Sequence, residues 1–190
     1  MKTLLWVILL LGTAGVHAAE ISGVHFDDKT RLSAGGPELV LNGGGTRTFI
    51  LFKVYAGALY VEQKSTNPQA IIDAQGPRRV HLVMLRDVSA KQFSEALNEG
   101  LQANHTPQQI ARFQSEIDQL LGLMQSIGEL KKGDQVQVDY LPEVGTRIQV
   151  KGETKGKEIA GLDFYRMILR VWLGDKPADA GLKEGMLGGS

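Results

Sequence analysis

Two capping boxes in the middle of the chain do most to limit how it can fold. Ser89-Ala90-Lys91-Gln92 and Thr106-Pro107-Gln108-Gln109 each set a hydroxyl before an orphan N–H and a glutamine that can reach back. The second adds proline at the first helical position. Two helices are therefore predicted to start near Ser89 and Thr106. Phe93, Leu97 and Leu101 lie on one stripe of the first, and Ile110, Phe113, Ile117, Leu120, Leu121 and Met124 repeat at helical spacing in the second. Each helix carries an apolar face that must be buried, and the second is expected to end at Gly128, with Lys131 and Lys132 complementing its dipole.

Strand patterns flank this helical centre on both sides. Ile21 to Phe26 and Glu38 to Leu41 read as short strands, and the proline-free run from Thr46 to Gln63 reads as one long or hairpin-folded strand. A short helix over Asn67 to Ala74 precedes a buried strand, Arg79 to Arg86. Beyond the centre, Gln135 to Tyr140 and Arg147 to Lys151 alternate apolar and polar residues around the turn residues Pro142 and Gly145, which predicts a hairpin with one wet face. Gly152 to Gly156 is read as a turn into a third strand, Lys157 to Ala160. Asp163 is placed to cap a helix ending at Gly174, and a last helix covers Pro177 to Leu187. Strands on either side of a helical block make an α+β domain, an antiparallel β-sheet packed against a layer of helices.

The amino terminus sets the expected address. Lys2 precedes the apolar run Leu4 to Leu11, and Val16 and Ala18 suit the −3 and −1 places of a signal-peptidase site, so residues 1–18 are expected to be a cleavable secretory signal and 19–190 one domain in the periplasm. Gly12 and Gly15 interrupt the apolar run short of the roughly 20 residues that span a bilayer, so no membrane span is expected in the mature chain. With no cysteine there is no disulfide to form. The 21 basic and 21 acidic residues balance, which leaves no electrostatic case for a nucleic-acid partner. No cofactor is expected, because no nucleotide-binding motif is present.

Chemistry-bearing residues are few. His25, His81 and His105 lack metal-ligand spacing, so no metal site is expected, and no nucleophile elbow occurs. Gly43-Gly44-Gly45 lacks the Gly-Lys-Ser/Thr of a phosphate cradle and reads as a tight turn before a strand. Arg47 stands directly after it, at the head of an apolar strand, where a guanidinium requires an internal salt bridge, exposure or an anionic ligand.

Leu41-Asn42-Gly43-Gly44-Gly45-Thr46-Arg47, followed by Lys53-Val54-Tyr55-Ala56-Gly57-Ala58-Leu59-Tyr60, resembles the signature of the chalcone isomerase family in its bacterial, exported branch. Val88-Ser89-Ala90-Lys91-Gln92-Phe93, Asn98-Glu99-Gly100-Leu101, Lys132-Gly133-Asp134, Gly161-Leu162-Asp163-Phe164 and Trp172-Leu173-Gly174 are similar to that branch in the same order. The resemblance implies the open-faced sandwich of that family. It also implies a catalytic or ligand-binding role for Arg47, which matches the substrate-polarising arginine of the plant enzymes. The plant threonine falls on Tyr55, the tyrosine, lysine and asparagine of the plant helix on Phe93, Ala96 and Gly100, and the late Thr-Ser pair on Phe164 and Tyr165. Most of the plant hydrogen-bonding set is thus replaced.

The family contains isomerases that close chalcones to flavanones and fatty-acid-binding relatives. With most donors lost, the resemblance implies binding of a small amphipathic anion, a fatty acid or an aromatic acid, through Arg47 and Tyr55 with Phe93, Phe164 and Tyr165 as walls. Two alternatives stand beside it: a cofactor-free isomerase, that is an intramolecular lyase of chalcone type, and a structural or interaction protein of the cell envelope. A geometric condition applies to the first reading. In one straight strand Arg47 and Tyr55 would lie about 26 Å apart at roughly 3.3 Å per residue, so the strand must fold back for them to share a carboxylate.

Overall fold

The computed structural model describes residues 18–189. The expected signal segment lies outside the described residues except for Ala18, which opens the first strand. β1 (Ala18–Ile21) and β2 (Val24–Asp27) form a hairpin where one strand was expected, because Ser22 and Gly23 both adopt positive φ, 50° and 80°, and reverse the chain. β3 (Lys29–Thr30) then leads through a loop to β4 (Leu39–Phe49) and β5 (Phe52–Val61). These two are antiparallel partners joined at Ile50 and Leu51, so the Thr46 to Gln63 run is the folded-back form of the expected strand.

The glycines are not a turn. Gly43, Gly44 and Gly45 lie inside β4, paired with Leu59, Ala58 and Gly57 of β5. Their function is steric. A Cβ on Gly43 would stand 2.9 Å from the Gly188 nitrogen and would also collide with the Gly185 carbonyl, and one on Gly45 would stand 3.0 Å from the Leu182 Cα. The track lets a helix near the carboxyl terminus lie directly on the strand backbone.

α1 (Pro68–Asp73), capped by Asn67, precedes β6 (Arg78–Met84), and β7 (Val88–Ser89) leads into α2 (Ala90–Asn104). Both capping boxes form, at Ser89 with Gln92 and at Thr106 with Gln109. The helix begun at Thr106 is broken at Phe113 into α3 (Pro107–Arg112) and α4 (Gln114–Ser126). β8 (Glu129–Leu130) pairs with β7, and Lys131 bonds Asp87 and Glu129 there instead of serving the end of α4.

The second half follows the expected order with shifted boundaries. β9 (Gln135–Leu141), β10 (Gly145–Val150) and β11 (Glu153–Ile159) lie side by side, with the last turn at Lys151 and Gly152 and Gly156 inside β11. α5 (Leu162–Leu173) has Gly161 at its N-cap. Asp163 sits in the first turn, paired with Arg166 at 2.9 Å, and does not cap. α6 (Ala180–Met186), capped by Asp179, completes the chain.

The main sheet is antiparallel throughout, in the order β11-β10-β9-β6-β5-β4-β3. Its helix-facing side buries Leu59, Val80, Leu82, Val136 and Val138 against Leu101, Ile117, Leu120, Ile168 and Trp172. The other side buries Phe26, Leu39, Leu41, Ala56, Ala58 and Tyr60 beneath the β1–β2 hairpin. The wet face expected on β9 is interrupted at Asp139, which is fully buried and takes Arg79 in two hydrogen bonds of 2.6 and 2.7 Å.

Candidate functional site

Alternation along β5 sends Tyr55, Leu59 and Val61 to the helix side, and Ala56, Ala58 and Tyr60 to the other. Arg47 is the direct cross-strand partner of Tyr55 and so shares its helix-facing side. Gly43 and Gly45, at the preceding positions on that face, lie under α6. Arg47 emerges where the glycine track ends, beside Asp179, whose Oδ2 accepts from the Thr48 N–H at 2.9 Å.

Arg47 is half-buried, and its guanidinium carbon stands 5.8 Å from the ring centroids of both Phe49 and Tyr55. Among the described residues no carboxylate lies within ion-pair distance of it. Tyr55 is buried, and its hydroxyl accepts the Trp172 Nε1–H at 3.0 Å. Burial pushes the Tyr55 hydroxyl up to about 12 although Arg47 pulls it the other way, so it stays protonated and can donate at neutral pH.

Two adjoining spaces have Arg47 on their walls. An inner pocket of about 40 Å³ is walled by Val54, Tyr55, Phe93, Leu97, Val171 and Trp172. An outer groove of about 370 Å³ runs along Phe49, Ile50, Phe52 and Arg86, with Asp87 and Glu99 also on its wall, and Arg47, Val54, Val88 and Ala96 border both. The inner space has room for water or for carboxylate oxygens, whereas pockets that enclose drug-sized ligands run to roughly 300–1,000 Å³. Of the two, the groove alone reaches that range. A larger cavity of about 710 Å³ lies beside α1 and does not include Arg47; its wall carries Glu38, Glu62, Lys64 and Arg78.

Of the expected site residues, the structure brings Arg47, Tyr55 and Phe93 together and leaves Phe164 and Tyr165 elsewhere. Phe164 is fully buried and packs against Phe113 at 6.1 Å. Tyr165 is fully buried against Tyr140 at 5.3 Å, next to the Arg78 guanidinium. They are core residues. α5 does reach the site, but with Val171 and Trp172, seven residues or about 10.5 Å further along its axis at 1.5 Å per residue. Trp172 had a signal in the sequence: an indole in an apolar helix carries an N–H that needs an acceptor when buried.

A family described as chalcone isomerase-like matches residues 18–188. No curated protein matches the sequence. Among solved structures, the crystal structure of a fatty-acid binding protein of Arabidopsis thaliana superposes with a TM-score of 0.70 at 14% identity, covering 90% of this chain and 96% of that one. At that identity the likeness is one of fold.

Proposed function

This chain belongs to the chalcone isomerase-like family, and from that premise we propose that it binds a small amphipathic anion, with Arg47 holding the acid. One observation carries the reading. Half-buried Arg47, without a carboxylate partner among the described residues, stands beside a tyrosine hydroxyl that already accepts from Trp172, at the junction of a small pocket and a groove with Phe49, Phe52 and Val54 on its wall. Among the described residues neither donor has an acceptor for its own protons: Asp179 takes the Thr48 N–H, and on the groove wall Asp87 is held by Lys131 while Glu99 lies beyond ion-pair distance of Arg47. A carboxylate there would take the Arg47 fork and the Tyr55 O–H, with its oxygens at the inner pocket and its body along Phe49, Phe52 and Val54. The superposed plant protein, by its title, binds fatty acids, which agrees with this chemistry. The leader-like segment at residues 1–18 supports a periplasmic site of action.

An isomerase would need Arg47 to stabilise an enone's developing oxyanion and further groups to guide proton and ring closure. The inner pocket's other polar side chains are Tyr55 and the indole N–H already given to it, and α2 offers Phe93, Ala96 and Leu97. That composition supports binding.

The test is native mass spectrometry of the chain from Ala19 onward, followed by titration with laurate. A bound acid is expected in the wild type. Arg47→Ala should release it and weaken laurate by roughly tenfold to a hundredfold, the worth of a charge-assisted hydrogen bond. Equal affinity in the two proteins, or no acid bound by either, would overturn the reading.

A further inference from the structure

The β4–β5 hairpin ends in four consecutive large apolar residues that stand in solvent: Phe49 is 60% exposed, Ile50 77%, Leu51 87% and Phe52 60%. Turn formation does not ask for them. Ile50 adopts φ 58°, a region in which a β-branched residue is strained and glycine or asparagine is not. A Gly-Ser pair would close the same two-residue loop at lower cost. An uninterrupted apolar tip that also strains its own turn points to a surface that receives it.

The residues behind the tip indicate which surface. Arg86 is exposed with its guanidinium carbon 5.3 Å from the Phe52 ring, and Lys53 is exposed and donates to Ser22 Oγ at 3.1 Å. Asp87, next to Arg86, is occupied by the Lys131 Nζ at 3.2 Å and the Lys132 N–H at 2.8 Å. A convex apolar tip with cations set back on its shoulders reproduces the layering of an anionic bilayer, phosphates outside and hydrocarbon within. No helix of the described residues is long and apolar enough to cross a membrane, so attachment through the tip is peripheral.

We propose that the Phe49–Phe52 tip inserts into the interface of a membrane containing anionic phospholipid, with Lys53 and Arg86 on the phosphates. Phe49, Ile50 and Phe52 also wall the groove beside Arg47, so a docked molecule would present that groove to the bilayer. This last consequence rests on the ligand-binding reading, whereas insertion does not.

The chain from Ala19 is suited to the test, because it holds every residue of both core clusters and lacks the apolar leader. With no native cysteine, Leu51→Cys carries a single environment-sensitive label. Vesicles of phosphatidylglycerol and phosphatidylcholine should blue-shift that label and quench it through brominated acyl chains. They should leave the same label at exposed Gly122 unchanged. Ile50→Gly with Leu51→Ser keeps the turn and removes the two most exposed of the four apolar side chains, and should lower vesicle partition by roughly tenfold or more without lowering the urea midpoint. Lys53→Gln and Arg86→Gln should each lower it about fivefold on anionic vesicles. The proposal is overturned if label 51 is silent on anionic vesicles, if the Gly-Ser variant partitions like the wild type, or if the label responds to protein concentration without lipid. The last result would mean that a second copy covers the tip.

Discussion

Arg47 and Tyr55 are direct partners across the β4–β5 hairpin, and the tyrosine hydroxyl is held in turn by Trp172 from α5 at 3.0 Å. The indole leaves Tyr55 one useful role, donation of its own proton. Trp172→Phe removes the N–H and part of the packing, so a loss of roughly 1–3 kcal/mol in urea unfolding is expected. Laurate should weaken by a few-fold, less than in Arg47→Ala, because Tyr55 remains but loses its fixed orientation and the polarisation of the hydrogen-bonded chain. Calorimetric titration measures this. Unchanged affinity would mean that the tyrosine does not contact the acid.

Gly43 tests the track that positions Arg47. A methyl there meets main-chain atoms of Gly185 and Gly188, and backbone cannot rotate aside. Gly43→Ala should cost about 1–3 kcal/mol and raise hydrogen exchange across α6, measured by mass spectrometry. At Gly122, where a Cβ meets nothing within 4 Å, the same change should be harmless or slightly stabilising.

How far these features could be read from the sequence depended on how local their causes are. The Ser89 and Thr106 boxes were legible because every participating group lies within three residues. The reversal at Ile50 was not, since that turn carries no glycine, asparagine or proline. The glycine triplet looked like a turn because the reason for it, close approach of α6, lies far along the chain. Arg47 was legible as a cation in an apolar setting, and its partner Tyr55 only on condition that the strand folded back, which the β4–β5 register supplies. Phe164 and Tyr165 were assigned by resemblance alone. Periodicity could not separate a pocket wall from core, and both are core.

Acid should weaken the fold through His81. The ring packs edge-on to Phe26 at 5.3 Å and its Nε2 lies 3.2 Å from Gln135 Oε1; burial, then the nearby Arg79, push its pKa down to about 4. The unfolded chain, with an ordinary value of about 6.5, takes up this proton first. Stability from the neutral ring is therefore complete above pH about 6.5 and is lost as pH falls toward 4. The loss is at most about 3 kcal/mol, and less where water reaches the ring. Urea midpoints across that window should fall less steeply in His81→Gln. Some slope should persist, because burial also holds His105 below its usual value.

Ala96 decides whether the two spaces at Arg47 work as one site. It borders both the 40 Å³ pocket and the 370 Å³ groove from a part-buried position on α2. An isobutyl group in place of its methyl would stand between the two spaces. Leucine is nearly as good a helix former as alanine, so Ala96→Leu should cost no more than the roughly 1–3 kcal/mol of added carbons at a packed wall and leave the protein folded. If the carboxylate sits against Arg47 and Tyr55 while the acyl body lies in the groove, the variant should lose laurate by roughly tenfold or more while the fold stands. Arg47→Ala removes the charge and leaves the boundary at Ala96 unchanged; Ala96→Leu fills that boundary and leaves the charge. Loss of affinity in both would tie the acid to this junction. Wild-type affinity in Ala96→Leu would put the acyl body somewhere other than the groove beneath the hairpin.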